Sequence, residues 1–338
     1  VSELITFKFR FVDAKGNPQG FLAKRGSFDG TNLVLAKETI PAAAIMGAAS
    51  RVGRMLVRVD NGSEGVREIV MTVGSNRELS ALLAAINRAC SKGWAERERE
   101  RLTAAGRGHE FRSEQCPGCS STLILSRMAP TGQIYCTYCD TLTTIEPGPL
   151  GQAVQTAETA FRCCDRCGYY AKPSDFTTFY FYFLVVVYGF RYKQGRMCNT
   201  CMRAEGWKML AFNAPFILGL FVAIPQLIRA YAGGSAFNPV FAGLDKGNAA
   251  AKAGKAEAAL RQYAELEQRL GLCAGVRFNK GLALAKAQKI EEAALAFEEA
   301  LEDCSNYTPA VMPLVRCYAV LKRDADAERL AKQWSDEA

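Results

Sequence analysis

Eight of the thirteen cysteines stand in Cys-x-x-Cys pairs: Cys116 with Cys119, Cys136 with Cys139, Cys164 with Cys167, and Cys198 with Cys201. One tight turn presenting two thiolates supplies half a tetrahedron. Two such turns brought together supply the four sulfur ligands of one Zn2+ ion. The pairs form two consecutive sets, so the spacing predicts two Zn2+ ions. Four sulfurs leave no open position for a reactive water, which makes each ion structural. Iron, or a redox dithiol, is the competing use of the same pairs. Cys90, Cys163, Cys273, Cys304 and Cys317 remain and read as small buried hydrophobes. Cys163 also competes with Cys164 as first ligand of the second set, and the spacing favours Cys164.

Nothing else in the chain has catalytic spacing. The single histidine, His109, reads as a surface or loop residue, since a complete sulfur set has no need of a fifth ligand. There is no Gly-rich phosphate loop, and one histidine cannot serve several hydrolytic or metal sites. No catalytic residue and no small-molecule substrate is therefore assigned. With 338 residues, 49% hydrophobic and 22% charged, the chain reads as globular and multidomain. Val1 to Val12 reads as an alternating strand rather than a secretory signal, so the thiols are expected reduced and facing the cytoplasm.

The net charge of +8 is uneven. From Val240 onward, 14 Lys and Arg face 15 Asp and Glu, so the excess lies upstream. Arg191, Lys193, Arg196, Arg203 and Lys208 form the densest basic stretch, between the two most apolar segments. That placement favours an anionic membrane surface over nucleic acid.

The elements that position these residues follow from periodicity. Residues 1–105 read as strands closed by a helix. Ile5, Phe7, Phe9 and Phe11 alternate with polar neighbours, and Gly26–Phe28, Leu33–Leu35, Met55–Val59 and Ile69–Val73 are further strands. Ser75 and Glu78 form a capping-box pattern ahead of an apolar stripe, Leu79, Leu82, Leu83, Ile86 and Cys90. The alternating charges of Glu96–Arg101 extend that helix into solvent. In element order this domain resembles a pleckstrin-homology-like barrel, which implies a ligand- or partner-binding module.

Residues 112–147 carry the first set. With β-rich Thr122–Leu125, a turn at Pro130–Gly132 and a strand entering Ile134–Tyr135, they resemble a zinc ribbon whose hairpin joins the two knuckles. Ser120 and Asp140 stand where glycine often follows such knuckles. Arg127 is the only cation between the knuckles, so duplex binding is not expected. Residues 160–206 carry the second set around Phe176–Phe190, a Phe-, Tyr- and Val-rich run read as a greasy hairpin. A spanning helix there would put the two knuckles on opposite sides of a bilayer, where they could not share an ion.

Residues 207–232 hold the membrane candidate. Leu210–Ile228 is about 28 Å long as a helix, barely a bilayer's hydrocarbon thickness, and Asn213, Pro215, Pro225 and Gln226 interrupt it. It reads as a kinked span or a re-entrant wedge. Trp207 with Lys208 at its entrance and Arg229 with Tyr231 at its exit read as interfacial anchors. A buried helix between domains is the soluble alternative. Positive-inside reasoning puts the ribbons in the cytoplasm. A span would put the C-terminal region outside, and a wedge would keep it inside. Paired knuckles around a greasy hairpin, then Gly195–Cys201 and an apolar segment, resemble bacterial membrane-associated ribbon proteins.

Residues 240–338 repeat with a period of 34. Gly247 and Gly281, Tyr263 and Phe297, and Ala259, Ala293 and Ala327 recur at that spacing. They resemble the packing positions of tetratricopeptide repeats, in units 240–273, 274–307 and 308–338. Ser305 and Val315 depart from the pattern. The resemblance implies a solenoid whose concave face takes a protein or peptide. Packing on the rest of the chain is the alternative, and inward polar positions such as Asn248 and Asn279 suit either role.

The expected whole is a multidomain α+β protein: a β-barrel-like domain with its helix, two β-hairpin zinc ribbons, an apolar membrane helix or wedge, and a tetratricopeptide-like α-solenoid. The expected function is a non-enzymatic, membrane-associated adaptor that binds zinc and recruits a protein. A Cys-x-x-Cys thiol oxidoreductase and a ribbon that binds nucleic acid are the alternatives.

Overall fold

Alternation in the opening segment becomes strand β1 (Ile5–Phe11), with Phe7 and Phe9 turned into the core and Lys8 to solvent. The computed structural model describes residues 4–13, 18–20, 22–51, 54–145, 158–184, 187–215, 217–232, 239–271 and 273–335. The chain divides into two units, Val1–Met128 and Ala129–Ala338.

In the first unit β1 joins β2 (Lys24–Phe28), β3 (Asn32–Leu35), β4 (Glu38–Pro41), β5 (Ile45–Arg51), β6 (Arg54–Asp60) and β7 (Val66–Val73). They form one antiparallel sheet in the order β4-β3-β2-β1-β7-β6-β5. The expected barrel is not closed: β4 and β5 end as separate edges. Helix α1 (Asn76–Ala104) packs Leu79, Leu82, Ile86 and Cys90 against Phe9, Phe28, Ile45, Val57 and Met71. Its capping box forms as the spacing predicts, with the Ser75 hydroxyl accepting from the Glu78 N–H and the Glu78 carboxylate from the Ser75 N–H. The charged extension stays helical, and Arg101 pairs with Glu98 at 2.7 Å. Strand β5 is rich in Ala and Gly and has little strand propensity of its own. Pairing with β6 holds it, and the Asn87 carboxamide completes it, accepting from the Ala48 N–H at 3.0 Å and donating to the Ala48 C=O at 2.9 Å.

The strand pairs around the knuckles differ from the expectation. In the first unit β8 (Ser113–Gln115) pairs with β9 (Thr122–Ile124), and in the second β10 (Gln133–Cys136) pairs with β11 (Thr141–Thr144). Each knuckle thus closes its own small hairpin, and the two strands between the knuckles do not pair with each other. The same holds for β12 (Arg162–Cys163) and β13 (Tyr170–Ala171) around Cys164–Cys167. The greasy run does form a hairpin, β14 (Ser174–Leu184) with β15 (Val187–Met197).

The membrane candidate is not one helix. Chain 199–232 makes α2 (Asn199–Asn213) and α3 (Ile217–Ala232), and among the described residues no helix is long and apolar enough to cross a membrane. The two helices pack antiparallel. Gly206 lies against Leu227, and Trp207 Nε1 donates to the Tyr231 hydroxyl at 3.1 Å. The aromatic anchors expected at opposite ends of a span are therefore neighbours at one end of a helical hairpin.

Among the described residues six helices follow: α4 (Leu244–Lys252), α5 (Ala256–Leu270), α6 (Ala274–Lys286), α7 (Ile290–Asp303), α8 (Thr308–Val320) and α9 (Asp324–Ser335). The second helix of each pair starts at 256, 290 and 324, one period apart. The turns inside the pairs reuse one left-handed position, Gly254 (φ +77°), Gln288 (φ +63°) and Lys322 (φ +56°). Gly247 and Gly281 let helices close up. A Cβ there would sit 2.7 Å from the Tyr263 ring and 2.5 Å from the Phe297 ring. Ala259 and Ala293 are fully buried beside them, and Ala327 is half-buried.

These helices are packed against the chain's own strands. Asn279 accepts from the Tyr170 N–H at 2.7 Å and donates to the Tyr170 C=O at 2.7 Å, and Asn248 donates to the same carbonyl at 2.9 Å. Asn306 does the same for Tyr135 on β10, at 2.8 and 2.7 Å. A single carboxamide offers both N–H donors and a C=O acceptor, which matches the edge of a strand and satisfies it without a partner strand. Around these clamps Phe161, Tyr170, Phe241, Phe278 and Tyr307 form one continuous core with the repeats. Gly275 makes room for the Tyr170 ring, 2.5 Å from where a Cβ would stand.

Candidate metal centres

Sulfur placement follows from the turns. After Cys116, Cys136 and Cys164 the chain folds back so that the amide four residues on bonds the first cysteine's carbonyl: Ser120 at 2.7 Å, Asp140 at 2.8 Å and Gly168 at 2.9 Å. All three returning residues are left-handed, at φ +60°, +61° and +74°. Ser120 and Asp140 therefore adopt the backbone that glycine would, at a modest strain cost. The fourth knuckle is built differently. Cys198 is the N-cap of α2 and Cys201 lies in its first turn, so both thiols sit at the positive end of a helix dipole.

Two groups of four sulfurs result. Those of Cys116, Cys119, Cys136 and Cys139 lie within 4.8 Å of one another, and so do those of Cys164, Cys167, Cys198 and Cys201. Each group can hold one metal ion. The donor chemistry fits: four thiols partly or wholly shielded from water, at a mutual spacing that suits sulfur ligands of one tetrahedral ion. Cys163 is outside the second group. Its sulfur faces the Tyr307 hydroxyl at 3.7 Å, and burial pushes its thiol up to about 12. Cys164 is thus the ligand candidate, as its spacing favours. Cys90, Cys273, Cys304 and Cys317 are buried among apolar neighbours, and His109 is exposed and belongs to neither group.

The second centre has further support. Hydrogen bonds from Cys167, Cys198 and Cys201 hold the Cys164 thiol far below its ordinary range, and the Cys198 N–H points at its sulfur at 3.3 Å. Asp165 accepts from the Arg196 N–H at 2.7 Å, which ties the first knuckle to the strand leading into the second. Arg166 and Lys208 pair with the buried Glu205 of α2, and the Tyr180 hydroxyl donates to it at 3.0 Å.

One contributor escaped the sequence reading. Lys252, at the end of α4, donates from Nζ to Cys198 Sγ at 2.9 Å and to Cys201 Sγ at 3.7 Å. Burial disfavours its charged form, but the Cys198 thiolate overrides this and the ammonium pKa is raised. A four-thiolate site with a divalent ion carries two excess negative charges, and a partly buried cation beside it offsets part of them. No spacing rule reaches a residue 51 positions beyond its target. Lys252→Met keeps the stem and removes the charge, and should weaken metal retention at this centre by about 10- to 100-fold. Competition with a chromogenic chelator measures it. The Cys116 centre serves as internal reference, and Lys252→Arg should restore most of the affinity.

Of the proposed membrane-surface residues, Arg203 donates to the Ala230 carbonyl at 3.1 Å and lies over the Tyr231 ring, and Arg196 faces Asp175 at 3.6 Å. Trp207 and Lys208 are exposed on α2. The side chains of Arg191 and Lys193 lie outside the described residues. No protein-family model matches this chain, and no curated protein or solved structure matches it.

Proposed function

We propose that this protein is a non-enzymatic, membrane-associated scaffold. Two structural Zn2+ ions staple its ribbon-like modules, and the tetratricopeptide-like array holds those modules and recruits a protein. The observation that carries the reading is the pair of closed four-sulfur groups, one of them buttressed by Lys252. A thiol oxidoreductase needs one accessible, activated pair, whereas all four pairs here are committed to mutual contact. Asn248, Asn279 and Asn306 already clamp the chain's own strands, which favours the holding half of the reading over peptide capture on the inner face. The first unit, with its pleckstrin-homology-like element order, is a further candidate contact module.

Metal analysis combined with thiol titration tests the scaffold against the redox alternative. Protein purified under reducing conditions should carry about two zinc ions per chain, with knuckle thiols that react only as metal leaves. A fast-reacting Cys-x-x-Cys pair in protein with fewer ions would overturn the assignment in favour of thiol exchange.

A further inference from the structure

We infer that the hairpin of α2 and α3 inserts its outer face into one leaflet of an anionic membrane without crossing it. The inference deepens the membrane-associated part of the reading above by naming the face, the lipid charge and the depth.

The inner side of α3 is spent on packing. Ala223 and Ala230 are buried, and Leu227 fills the space over Gly206, where a Cβ would meet its Cδ1 at 2.8 Å. The opposite side carries Phe221, Ile224, Ile228 and Tyr231, spaced i, i+3, i+7 and i+10 along a single stripe. Phe221 is 74% exposed and Ile228 63% exposed, and Phe212 of α2 is exposed as well. Large apolar side chains in such a row are a surface awaiting an apolar environment.

Polarity is graded along the hairpin. Its only charged residue on α3 is Arg229, near the Tyr231 end, and the helix has no acidic residue. Arg203, stacked 4.4 Å from the Tyr231 ring centroid, and Trp207, bonded to the Tyr231 hydroxyl, gather at that same end. A protein groove would meet a polar rim around the whole patch. A collar of cations and interfacial aromatics at one end, with hydrocarbon beyond, suits a leaflet whose headgroups are anionic. Sixteen residues make α3 about 24 Å long, short of a hydrocarbon core of about 30 Å.

The rest of the unit excludes a single crossing. Tyr135 and Tyr170 precede the hairpin in the chain, Asn248, Asn279 and Asn306 follow it, and these residues share one hydrogen-bonded core. Both ends of the hairpin must therefore emerge on the same side. The far end of α2 is anchored too: Asn213 donates to the Phe179 carbonyl at 2.7 Å and accepts from the Phe181 N–H at 3.0 Å on β14.

Flotation of the full-length, metal-loaded protein tests this, using vesicles of phosphatidylcholine alone or with about 30 mol% phosphatidylserine. Wild type should float with the anionic vesicles. The double variant Phe221→Asp, Ile228→Asp changes only exposed positions and should keep its metal content while losing about tenfold or more in bound fraction. Arg229→Glu should abolish most of the preference for phosphatidylserine. Equal binding of the double variant overturns this inference while leaving a membrane-associated scaffold standing. Wild type that binds neither vesicle overturns both. Wild type that self-associates through this face, with the double variant monomeric and neither floating, assigns the stripe to a second copy of the chain and overturns the lipid assignment.

Discussion

If each four-cysteine group holds an ion as proposed, Cys198→Ser should cost the protein one of the two and, with it, the cooperative fold of the second unit. Cys198 joins several parts of the second centre. It caps α2, its N–H points at Cys164 Sγ, its own sulfur lies 3.8 Å from Cys167, and it accepts from Lys252. Serine keeps the cap but removes the soft ligand, leaving three thiolates and an incomplete sphere. Structural zinc sites contribute about 10–16 kcal/mol of apparent binding energy to folding, as large as a domain's whole stability. Loss of the ion should therefore appear as a broad, low-temperature unfolding transition by circular dichroism, alongside a drop of about one zinc per chain. Cys163→Ser, one residue from a ligand, is the discriminating control, since that sulfur faces Tyr307 instead. It should leave the metal count unchanged. If Cys163→Ser and Cys198→Ser lose metal equally, the ligand set is misassigned.

The second large effect is expected at Asn279. Truncation to alanine removes the acceptor of the Tyr170 N–H in a fully buried setting, while the Tyr170 carbonyl keeps its bond from Asn248. A buried amide without a partner costs about 1–3 kcal/mol, and the space left by the carboxamide adds to that, for a total of about 2–4 kcal/mol. Asn279→Asp should be worse than alanine. A carboxylate would face the Tyr170 carbonyl and the Asn248 Oδ1, both now donated to by Asn279. Urea unfolding of the metal-loaded protein measures both variants. A shift below about 0.5 kcal/mol for Asn279→Ala would show that the clamp does not hold the β13 strand to the array.

Among the described residues, asparagine carboxamides bond strand backbone repeatedly: Asn87 on Ala48, Asn213 on Phe179 and Phe181, Asn248 and Asn279 on Tyr170, and Asn306, in the loop ahead of α8, on Tyr135. Each seals a strand edge that would otherwise need another strand or water. The repeat pattern marks Asn248 and Asn279 as inward, but their partners, like those of Asn87, Asn213 and Asn306, depend on which edge the fold brings beside them.

What could be read beforehand was local. Cys-x-x-Cys spacing determines which sulfurs share a turn, and it placed all eight ligand candidates. Alternation marked β1, and the Ser75–Glu78 box marked the start of α1. The period of 34 located the helix pairs, because each rests on distances of a few residues along one backbone. Reading failed where pairing is long-range. The Ala- and Gly-rich β5 and the short β4 carry no strand signature, and in the first set each hairpin encloses a knuckle instead of joining the two, whereas β14 and β15 join the second set as expected. The apolar run 210–228 reads as a kinked span or a re-entrant wedge, and its break falls at Ala214 and Pro215, which end α2, while Gly206 gives the returning helix somewhere to pack.

The amino-acid sequence by itself thus determined which thiols could share a metal ion and where the helices of the C-terminal stretch recur, since thiolate affinity and helical period are properties of residues and their spacing. Only the tertiary structure decided that Lys252 stands beside Cys198, that Trp207 meets Tyr231, and that Asn248, Asn279 and Asn306 hold Tyr170 and Tyr135. Those contacts join residues between 24 and 171 positions apart. Their formation depends on packing and on satisfying buried polar groups across the whole unit, which no local pattern encodes.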